Sequence, residues 1–393
     1  MRYKFPRIEH IDQVRSAIAG AEEFFEARRD GYSIFDYRFV TSSSFPDVDP
    51  ALGQAAAQSA ALRREARGLI FDTATGRVLG RRFHKFFNLG ERDETRPERL
   101  EFAVAPLVLE KLDGSMVSPI LLGERLAWTT MLGETEVAAG AARFLAERPQ
   151  FDRFARELLA AGANPIFEWC SLQNRVVVEH REPRLVLLAI RGLVDGAYWS
   201  FAETQRAAAT AAIPMVTPWE ELHSDPRGLP ERLSELKGHE GVVLRFDDGH
   251  MLKLKTPWYV RIHGVLERLS READVVEIVL RGEHDDLMPF LTPSDFEELT
   301  RFAEALQAGL IASANRLIAK VTDLQARFPS RRDIALALRD DPDAPFIFRM
   351  LDGGDPHTLV RGHVLRECAS GPRLDAARRL FEARWARRAW TDG

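Results

Sequence analysis

Short apolar runs that enclose or end in charged residues recur along the first two thirds of the chain, and they constrain its fold more than any other feature. Four of them are residues 107–115 (LVLEKLDGS), 166–169 (IFEW), 239–244 (HEGVVL) and 251–255 (MLKLK). Short runs rich in aliphatic and β-branched residues predict β-strands. The charged residues are therefore expected on strands or at their ends, where a sheet can bring them together.

The last of these runs places two lysines on one face of a strand. Alternate strand residues point to the same side, so Lys253 and Lys255 project together while Leu252 and Leu254 face the opposite side. Two such ammonium groups can clamp a phosphate. Lys111, at the end of its own run and followed by Leu-Asp-Gly, has the setting that a lysine needs to attack a nucleotide phosphate. The pattern predicts a covalent lysyl-nucleotide intermediate.

A lysine nucleophile must lose its proton before it attacks. The ordinary pKa of a lysine is about 10.4, so the site must lower the pKa of Lys111 by burial or by nearby positive charge. Lys253, Lys255 and a divalent metal can supply that charge. We therefore predict three catalytic lysines, Lys111, Lys253 and Lys255.

Residues up to about 261 alternate apolar runs with turn signals and contain one helical insertion. Apolar residues recur near helical spacing from 136 to 161, and Pro149 is expected to divide this segment into two helices. Residues 185–190 (LVLLAI) are apolar on both faces, which predicts a central strand. Residues 1–260 are predicted to form one α+β catalytic domain.

The pattern changes after Tyr259 to heptad-like apolar spacing. It extends over residues 261–281, 293–327, 331–339 and 357–390, and few β-branched runs remain. This favours helices over a strand-rich barrel. Residues 261–393 are therefore predicted to form an all-helical C-terminal domain.

Composition sets wide limits on the kind of protein. The chain has 393 residues, 45% of them hydrophobic, which suffices for buried cores in two or three domains. A net charge of −5 gives no general attraction to nucleic acid, so any such contact must come from local basic patches. Cys170 and Cys368 lack disulfide or zinc-site spacing. With no signal peptide pattern and no run near the ~20 apolar residues of a membrane span, we expect a cytoplasmic protein without a membrane partner.

Three further segments, together with the runs above, carry a resemblance to a known family. They are residues 67–71 (RGLIF), 84–91 (HKFFNLGE) and 258–260 (WYV) with His263. In this order the motifs resemble the covalent nucleotidyltransferases. Within that superfamily they resemble the phage RNA ligase 1 family, whose members are ATP-dependent RNA ligases that repair cleaved transfer RNA. The resemblance extends from about Tyr32 to about His263.

The resemblance implies a fold and a role for most site residues. The fold is α+β of the ligase type, unlike ATP-grasp, with a mixed antiparallel-sheet catalytic domain before the all-helical domain, which is expected to select the RNA. Glu168 takes the position that contacts the ribose, and Glu240 takes the position associated with metal binding. Arg67 and Lys85 match positions near the nucleotide phosphates, with Tyr37 beside them.

The turn after the nucleophile belongs to the same implied site. Asp113 and Gly114 would shape this turn, since glycine allows close backbone approach to the nucleotide. The implied cofactors are ATP and Mg²⁺, with Mn²⁺ as the alternative metal, and Mg²⁺ prefers oxygen ligands such as a carboxylate. The full predicted nucleotide-binding set is Tyr37, Arg67, Lys85, Asp113, Gly114, Glu168, Glu240, Lys253 and Lys255.

The implied reaction has three transfers. Lys111 takes AMP from ATP, the AMP passes to the 5′-phosphate of an RNA end, and a 3′-hydroxyl attacks that activated phosphate and releases AMP. The expected partners are RNA ends with 5′-phosphate and 3′-hydroxyl groups, including those of transfer RNA. No end-healing motif is evident in this chain, which predicts a separate end-healing kinase and phosphatase.

Two alternatives stay open. Within the same chemistry, the chain can be a ligase for single-stranded DNA or a nucleotidyltransferase that stops after adenylating a 5′-phosphate. From another class, it can be a non-catalytic RNA-binding module, which has no need of Lys111.

One segment departs from the family pattern. Beyond Lys111 the family has a basic stretch, whereas residues 128–133 read WTTMLG. Arg125 or Arg143 is a candidate substitute for the missing phosphate contact. Near the carboxyl end, arginines among apolar residues predict a basic amphipathic helix that is either solvated or a patch for RNA phosphates. These arginines are Arg373, Arg378, Arg379, Arg384, Arg387 and Arg388.

Overall fold

The computed structural model describes residues 3–100, 105–222 and 228–385. The chain divides into two compact units, which separate in sequence between Val260 and Arg261. We term them the N-terminal unit and the C-terminal unit. The assignment of separate functional roles to residues 1–260 and 261–393 stays a prediction.

Five of the ten predicted site residues lie on strands of the N-terminal unit, namely Tyr37, Lys111, Glu168, Lys253 and Lys255. The strands are β1 (Phe24–Arg28), β2 (Tyr32–Tyr37), β3 (Leu69–Asp72), β4 (Val78–Gly80), β5 (Leu107–Lys111), β6 (Ser115–Leu122), β7 (Arg125–Thr129), β8 (Ala163–Cys170), β9 (Arg184–Gly192), β10 (Gly241–Arg245) and β11 (Met251–Lys255). The helices are α1 (Ile11–Ile18), α2 (Gln54–Glu65), α3 (Glu136–Leu145), α4 (Pro149–Ala160), α5 (Phe201–Thr210) and α6 (Leu229–Ser234). Helix α7 (Pro257–Ser270) follows and contains the boundary between the units.

The strands form three sheets. Their orders are β1-β2-β3-β4, β11-β10-β5 and β7-β6-β8-β9. Neighbouring strands are antiparallel in each of them. The predicted α+β class with antiparallel sheets is confirmed.

The prediction of a central strand at residues 185–190 is wrong. These residues belong to β9, which lies at the edge of its sheet beside β8. An irregular segment covers the other side of β9, because the Leu187 amide donates to the Pro214 carbonyl (2.8 Å) and the Val216 amide donates to the Leu187 carbonyl (3.0 Å). Most side chains on both faces of β9 are buried, which explains its continuous apolar run.

Helices α3 and α4 confirm the predicted helical insertion and its division at Pro149. Pro149 lies in the first turn of α4, where its missing N–H costs no hydrogen bond. These helices pack on one face of β8, with the Phe151 and Phe167 rings 5.9 Å apart between centroids. The other face of β8 carries Ile166, which packs with Met251 of the β11-β10-β5 sheet. Two sheets therefore face each other where the site residues lie.

A buried network of charged side chains links α2, β9 and the residue that follows β4. The Glu65 carboxylate accepts from Arg81 Nε (3.0 Å) and from an Arg191 guanidinium nitrogen (2.7 Å), and these side chains are at most 1% exposed. Arg81 also donates to the carbonyls of Pro6 and Val194, each at 2.8 Å. Removal of one partner would leave a buried charge unpaired, so the network fixes the relative positions of these elements.

The C-terminal unit is helical throughout its described residues, as predicted. Its helices after α7 are α8 (Glu272–Arg281), α9 (Pro293–Arg327), α10 (Arg331–Ala337), α11 (Ala344–Leu351), α12 (Pro356–Glu367) and α13 (Gly371–Ala377). One hydrophobic core joins them, and α11 is the helix that the sequence pattern did not indicate. Within the described ranges of the whole chain, no helix is long and apolar enough to cross a membrane.

The predicted basic helix near the carboxyl end is shorter than expected. Helix α13 ends before most of the arginines, and a 3₁₀ turn covers Arg378–Leu380. Arg378 pairs with Glu272 (2.6 Å), and Arg379 pairs with Asp343. These two arginines therefore hold the unit together. The positions outside the described residues are Arg387 and Arg388.

Candidate active site

Three neighbouring strands bring Lys111 next to Glu240 and Lys255. Gly241, at the start of β10, pairs in register with Lys111 on one side and with Lys255 on the other. Residues in register share a face of the sheet, so the two lysines project to the same side. The Glu240 carboxylate lies between them, with Oε2 2.7 Å from Lys111 Nζ and Oε1 3.1 Å from Lys255 Nζ.

This ion pair makes Lys111 harder to deprotonate than an ordinary lysine. Burial acts to lower the pKa of Lys111, but the charges of Glu240 and Glu168 outweigh burial and raise that pKa above its usual value. The expectation of a lowered pKa is therefore wrong for the protein without ATP. In this state Lys111 carries a proton that must leave before the amine can attack.

Glu168 lies on β8, on the face opposite Phe167 and Trp169, and in its ionised form it raises the pKa of Lys111. Burial raises the pKa of Glu168 to about 8, against the lowering effect of the Lys111 charge. A carboxyl group with this pKa is largely protonated at neutral pH and can donate as well as accept hydrogen bonds. That capacity suits contact with a ribose hydroxyl.

Lys253 lies on the same face of β11 as Lys255. Among the described residues, no carboxylate lies within ion-pair distance of its ammonium. Burial lowers the pKa of Lys253 to about 7, and the positive charges of Arg67 and Lys85 act in the same direction. A partly buried cation without a counter-charge is typical of a site that binds an anion.

Arg67 has an unused donor near the same place. Its guanidinium carbon lies 5.9 Å from the Phe86 ring centroid, and Lys253 Nζ lies 6.0 Å from that ring. One terminal nitrogen of Arg67 is buried and has no hydrogen-bond partner within the described part of the chain. An unmade hydrogen bond of this kind costs about 1–3 kcal/mol. Phosphate oxygens would satisfy it, so the residues present fit a nucleotide.

Lys85 and Tyr37 lie together, as the resemblance implied. Lys85 Nζ donates to the Tyr37 hydroxyl (3.0 Å) and lies 4.7 Å from the Tyr37 ring centroid. The backbone around Phe87 runs beside β11, because the Lys253 amide donates to the Phe87 carbonyl (3.1 Å). This pairing brings Lys85 close to the β11 lysines.

Asp113 anchors the site through protein contacts. One carboxylate oxygen accepts from the amides of Val177 (2.7 Å) and Val178 (2.6 Å), and the other accepts from the Tyr259 hydroxyl (2.7 Å). The backbone carbonyl of Asp113 also lies 2.6 Å from His180 Nε2. These contacts set the position of the turn that follows Lys111. A direct contact between Asp113 and the nucleotide stays a prediction.

Two glycines of the site permit close approach between strands. A Cβ atom at Gly114 would overlap the Trp169 carbonyl oxygen of β8, and one at Gly241 would overlap the Leu254 carbonyl oxygen of β11. In both cases the close neighbour is protein backbone. The close approach of Gly114 to the nucleotide stays a prediction.

The sequence reasoning missed the contribution of Tyr259. Its ring lies 4.8 Å from Lys255 Nζ, and its hydroxyl binds Asp113, so it connects the last strand to the nucleophile turn. The signal was available, because Tyr259 lies in the WYV motif directly after β11. The hydroxyl of Thr256 helps to hold Tyr259 in place. It accepts a hydrogen bond from the Tyr259 amide (3.0 Å) and donates one to the His239 carbonyl (2.9 Å).

Residues 128–133, which depart from the family pattern, have structural contacts instead of a basic group. The Thr129 hydroxyl donates to the Ser118 carbonyl (2.8 Å) and also contacts the buried guanidinium of Arg82. Of the two candidate substitutes, Arg125 is held by Glu134 through two hydrogen bonds (2.6 and 3.1 Å), and Arg143 is exposed on α3. Neither arginine is brought into the lysine cluster by a contact in the described residues.

A divalent metal would have to share its ligands with the nucleotide. The described residues contain no group of three or more histidine, cysteine or acidic side chains that could hold a metal ion alone. Mg²⁺ in phosphate-transfer sites needs only one or two protein carboxylates, because phosphates and waters fill the other positions. The carboxylate of Glu240 beside Lys111 fits that requirement.

Antiparallel sheets that bring several lysines and a carboxylate together define the class of nucleotidyltransferase-type ligases. The RNA ligase family model matches residues 65–259 of this chain. A putative RNA ligase of Thermovibrio ammonificans is 32% identical over 273 residues, which cover 65% of this chain and 69% of that protein. The chain belongs to the ATP-dependent RNA ligase family.

A phage protein and a solved structure are also similar to this chain. RNA ligase 1 of Bacteriophage TS2126 is 29% identical over 262 residues, and the match covers 64% of each protein. The solved structure of an archaeal ATP-dependent RNA ligase (form 1) superimposes with a TM-score of 0.43 at 15% identity, covering 65% of this chain and 64% of that one. The C-terminal unit lies outside the residues that the family model matches.

Proposed function

We propose that this chain joins the 5′-phosphate and 3′-hydroxyl ends of RNA with ATP, through a lysyl-AMP on Lys111. The observation that carries the proposal is the contact of Lys111 with Glu240 and, through it, Lys255, in register across three adjacent strands. Membership of the RNA ligase family supports the choice of RNA as substrate.

In the first transfer, the amine of Lys111 attacks the α-phosphorus of ATP. An N–P bond forms, the bond to the bridging oxygen breaks, and pyrophosphate leaves opposite the attacking amine. Before attack, the proton of Lys111 must leave. Neutralising the Glu240 carboxylate would remove a charge that raises the pKa of Lys111, and burial would then lower it.

The cations of the site hold the phosphates in this step. Lys253 and Arg67 lie around the Phe86 ring, neither with an ion pair among the described residues, and Lys85 is close by. Phosphate binding pairs these charges and satisfies the buried nitrogen of Arg67. Glu168 is proposed to contact the ribose.

The proposed cofactors are ATP and Mg²⁺, with Mn²⁺ as a substitute. When bound, the metal neutralises charge on the phosphate oxygens. Glu240 is the proposed protein ligand, shared with the phosphates of ATP. In the protein without ATP, Lys111 and Lys255 contact the two carboxylate oxygens of Glu240. Metal binding to Glu240 would therefore release Lys111.

Two further transfers complete the reaction. A 5′-phosphate oxygen of RNA attacks the phosphorus of lysyl-AMP, and the N–P bond breaks, so that Lys111 leaves as an amine. A 3′-hydroxyl then attacks the activated 5′-phosphate and AMP leaves. The C-terminal unit is proposed to select the RNA, with broken transfer RNA as the physiological substrate in the cytoplasm.

End healing is proposed to come from a separate kinase and phosphatase. The hypothesis is tested with RNA that carries 2′,3′-cyclic-phosphate and 5′-hydroxyl ends. The purified protein alone should leave these ends unjoined, and joining without added kinase or phosphatase would disprove the hypothesis.

The test of the proposed function is the intact mass of the protein after incubation with ATP and Mg²⁺. Wild type should gain one AMP (roughly 329 Da) on a lysine, and added pyrophosphate should reverse the gain. Lys111→Ala should gain nothing, whereas Lys237→Ala, which removes an exposed lysine, should behave as wild type. Failure of demonstrably nucleotide-free wild type to gain mass would support a non-catalytic RNA-binding module instead.

The acceptor is tested next, with labelled 5′-phosphate strands of RNA and of single-stranded DNA. Joining of RNA in preference to DNA is expected. A preference for DNA would favour a single-stranded DNA ligase. Accumulation of adenylated ends without joining would favour an enzyme that stops after AMP transfer.

A further inference from the structure

A cavity of about 610 Å³ adjoins the phosphate-binding cations, and Lys111 is not among the residues that line it. Lys85 lines it, and so does Leu252, whose side chain points to the opposite face of β11 from Lys253. All of its lining residues belong to the N-terminal unit. The cavity volume lies within the ~300–1,000 Å³ range of small-ligand sites, which is enough for one nucleotide.

Two buried donors in the cavity wall lack hydrogen-bond partners in the part of the chain that the structure describes. Arg64 is 4% exposed, and its Nε has no hydrogen-bond partner among the described residues, although another nitrogen of its guanidinium lies 2.7 Å from Glu94. The Tyr3 hydroxyl is likewise buried and unpartnered within the described ranges. Buried donors without partners are costly, so acceptor atoms of a ligand would stabilise this wall.

The remaining walls suit a nucleotide. The guanidinium of Arg64 lies 5.5 Å from the Tyr3 ring and 5.3 Å from the Phe87 ring, and both rings line the cavity. Aromatic faces and arginine planes stack on nucleobases of any sequence. Lys85 and the exposed Arg99 join Arg64 as cations of the cavity wall, against the carboxylates of Glu94 and Asp248. The cations outnumber the carboxylates, which suits a phosphate.

The stereochemistry of the reaction places the second substrate on this side. Pyrophosphate leaves opposite Lys111 when lysyl-AMP forms. In the next transfer Lys111 is itself the leaving group, so the attacking 5′-phosphate must enter from the position that pyrophosphate vacated. Arg67, Lys253 and Lys85 are the cations available on this path, and the cavity begins at Lys85.

We propose that this cavity binds the 5′-terminal nucleotide of the RNA end that receives AMP. The base would lie against Tyr3, Arg64 and Phe87, and the 5′-phosphate would reach past Lys85 toward lysyl-AMP. A phosphate oxygen of the RNA attacks the AMP phosphorus, the bond to Lys111 breaks, and the lysine amine takes up a proton. This inference rests on the proposed ligase function.

The test uses two cavity variants of the full chain that leave the lysine cluster intact. Arg99→Ala removes an exposed cation from the cavity wall, and Leu100→Trp narrows the cavity from the same wall. Arg96→Ala is the matched control, because Arg96 is on the same segment, 59% exposed, and pairs with Asp93 away from the cavity. Thermal melting by circular dichroism checks that each variant is folded.

Each transfer is measured separately in single turnover. Both cavity variants should form lysyl-AMP at the wild-type rate and transfer AMP to a 5′-phosphate RNA oligonucleotide at least tenfold more slowly. Their sealing of RNA that is already adenylated should fall as well, since that RNA carries the same 5′-terminal nucleotide. Arg96→Ala should match wild type in all three measurements.

Three outcomes would overturn the inference. Unchanged transfer to RNA in Arg99→Ala and Leu100→Trp would show that the cavity does not hold the 5′ end. Loss of lysyl-AMP formation would assign the cavity to ATP binding. A defect confined to the sealing of adenylated RNA would assign it to the 3′-hydroxyl strand. Failure of wild type to form lysyl-AMP would refute the proposed function itself.

Discussion

At the scale of single residues, the Glu240 carboxylate controls the protonation of the nucleophile. We expect Glu240→Gln to lower the pKa of Lys111, because burial then acts without the opposing charge of Glu240. The pH dependence of reductive methylation, read by mass spectrometry on the Lys111 peptide of ATP-free protein, measures this change. Glu110→Gln is the control, since Glu110 contacts His239 (3.2 Å) instead. An unshifted profile in Glu240→Gln would contradict the ion pair.

Lys253 should destabilise the fold when no phosphate is bound. Its pKa is about 7 in the folded protein, because of burial first, and about 10.4 when unfolded. Between these values the unfolded chain binds more protons than the folded protein. The contribution of Lys253 to the free energy of unfolding therefore increases as the pH rises from about 7 to about 10. Lys253→Met should therefore raise the free energy of unfolding by about 1–2 kcal/mol below pH 7 and by less above it.

Urea unfolding of Lys253→Met and wild type at pH 6 and pH 9 measures this difference. The gain should shrink between the two pH values. A gain that is equal at both would mean that Lys253 keeps its proton throughout. Formation of lysyl-AMP by the variant should fall at either pH, since a phosphate-binding cation is gone.

Local sequence predicted which side chains share a strand face but not which charges meet. The alternation of Lys253 and Lys255 with leucines followed from the period of a strand. The contact of Lys111 with Glu240 depends on the register of β5 against β10, and the two residues are far apart in the sequence. No local pattern sets that register, so the raised pKa of Lys111 could not be predicted.

At the scale of elements, Gly114 sets the spacing between the nucleophile turn and β8. Gly114→Ala should lower the free energy of unfolding by about 1–3 kcal/mol, because the new methyl group would overlap the Trp169 carbonyl oxygen. Chemical denaturation measures the change. Gly264→Ala is the control, since Gly264 lies within helix α7 with no atom near the added methyl group, and it should be neutral or stabilising. Equal effects of the two substitutions would contradict the close packing at Gly114.

Helices could be predicted where apolar residues recur at a regular spacing or where a proline indicates the end of one helix and the start of another. The helical insertion and its division at Pro149 followed from such signals. The edge position of β9 did not, because residues 214–216 bury an edge strand as thoroughly as a neighbouring strand would. Helix α11 was missed because it is only eight residues long and has a proline in its first turn, although its apolar residues do recur at helical spacing.

At the scale of the whole molecule, chemistry and RNA selection are proposed to reside in different units. A chain that ends at Ser270, which keeps helix α7 whole, should still form lysyl-AMP and should join broken transfer RNA at least tenfold more slowly than the full chain. Mass spectrometry and a gel-based joining assay measure the two activities, and circular dichroism checks the fold. Undiminished joining by the folded, shortened chain would remove the proposed role of the C-terminal unit.

The ion pair between Lys111 and Glu240 has a consequence for the resting enzyme. A protonated amine does not react with cyanate, acyl phosphates or other small electrophiles, so the carboxylate serves as a reversible protecting group for the nucleophile. Lys111 becomes reactive only when another cation pairs with the Glu240 carboxylate in its place. Without ATP, the nucleophilic amine of the enzyme is therefore expected to stay chemically intact.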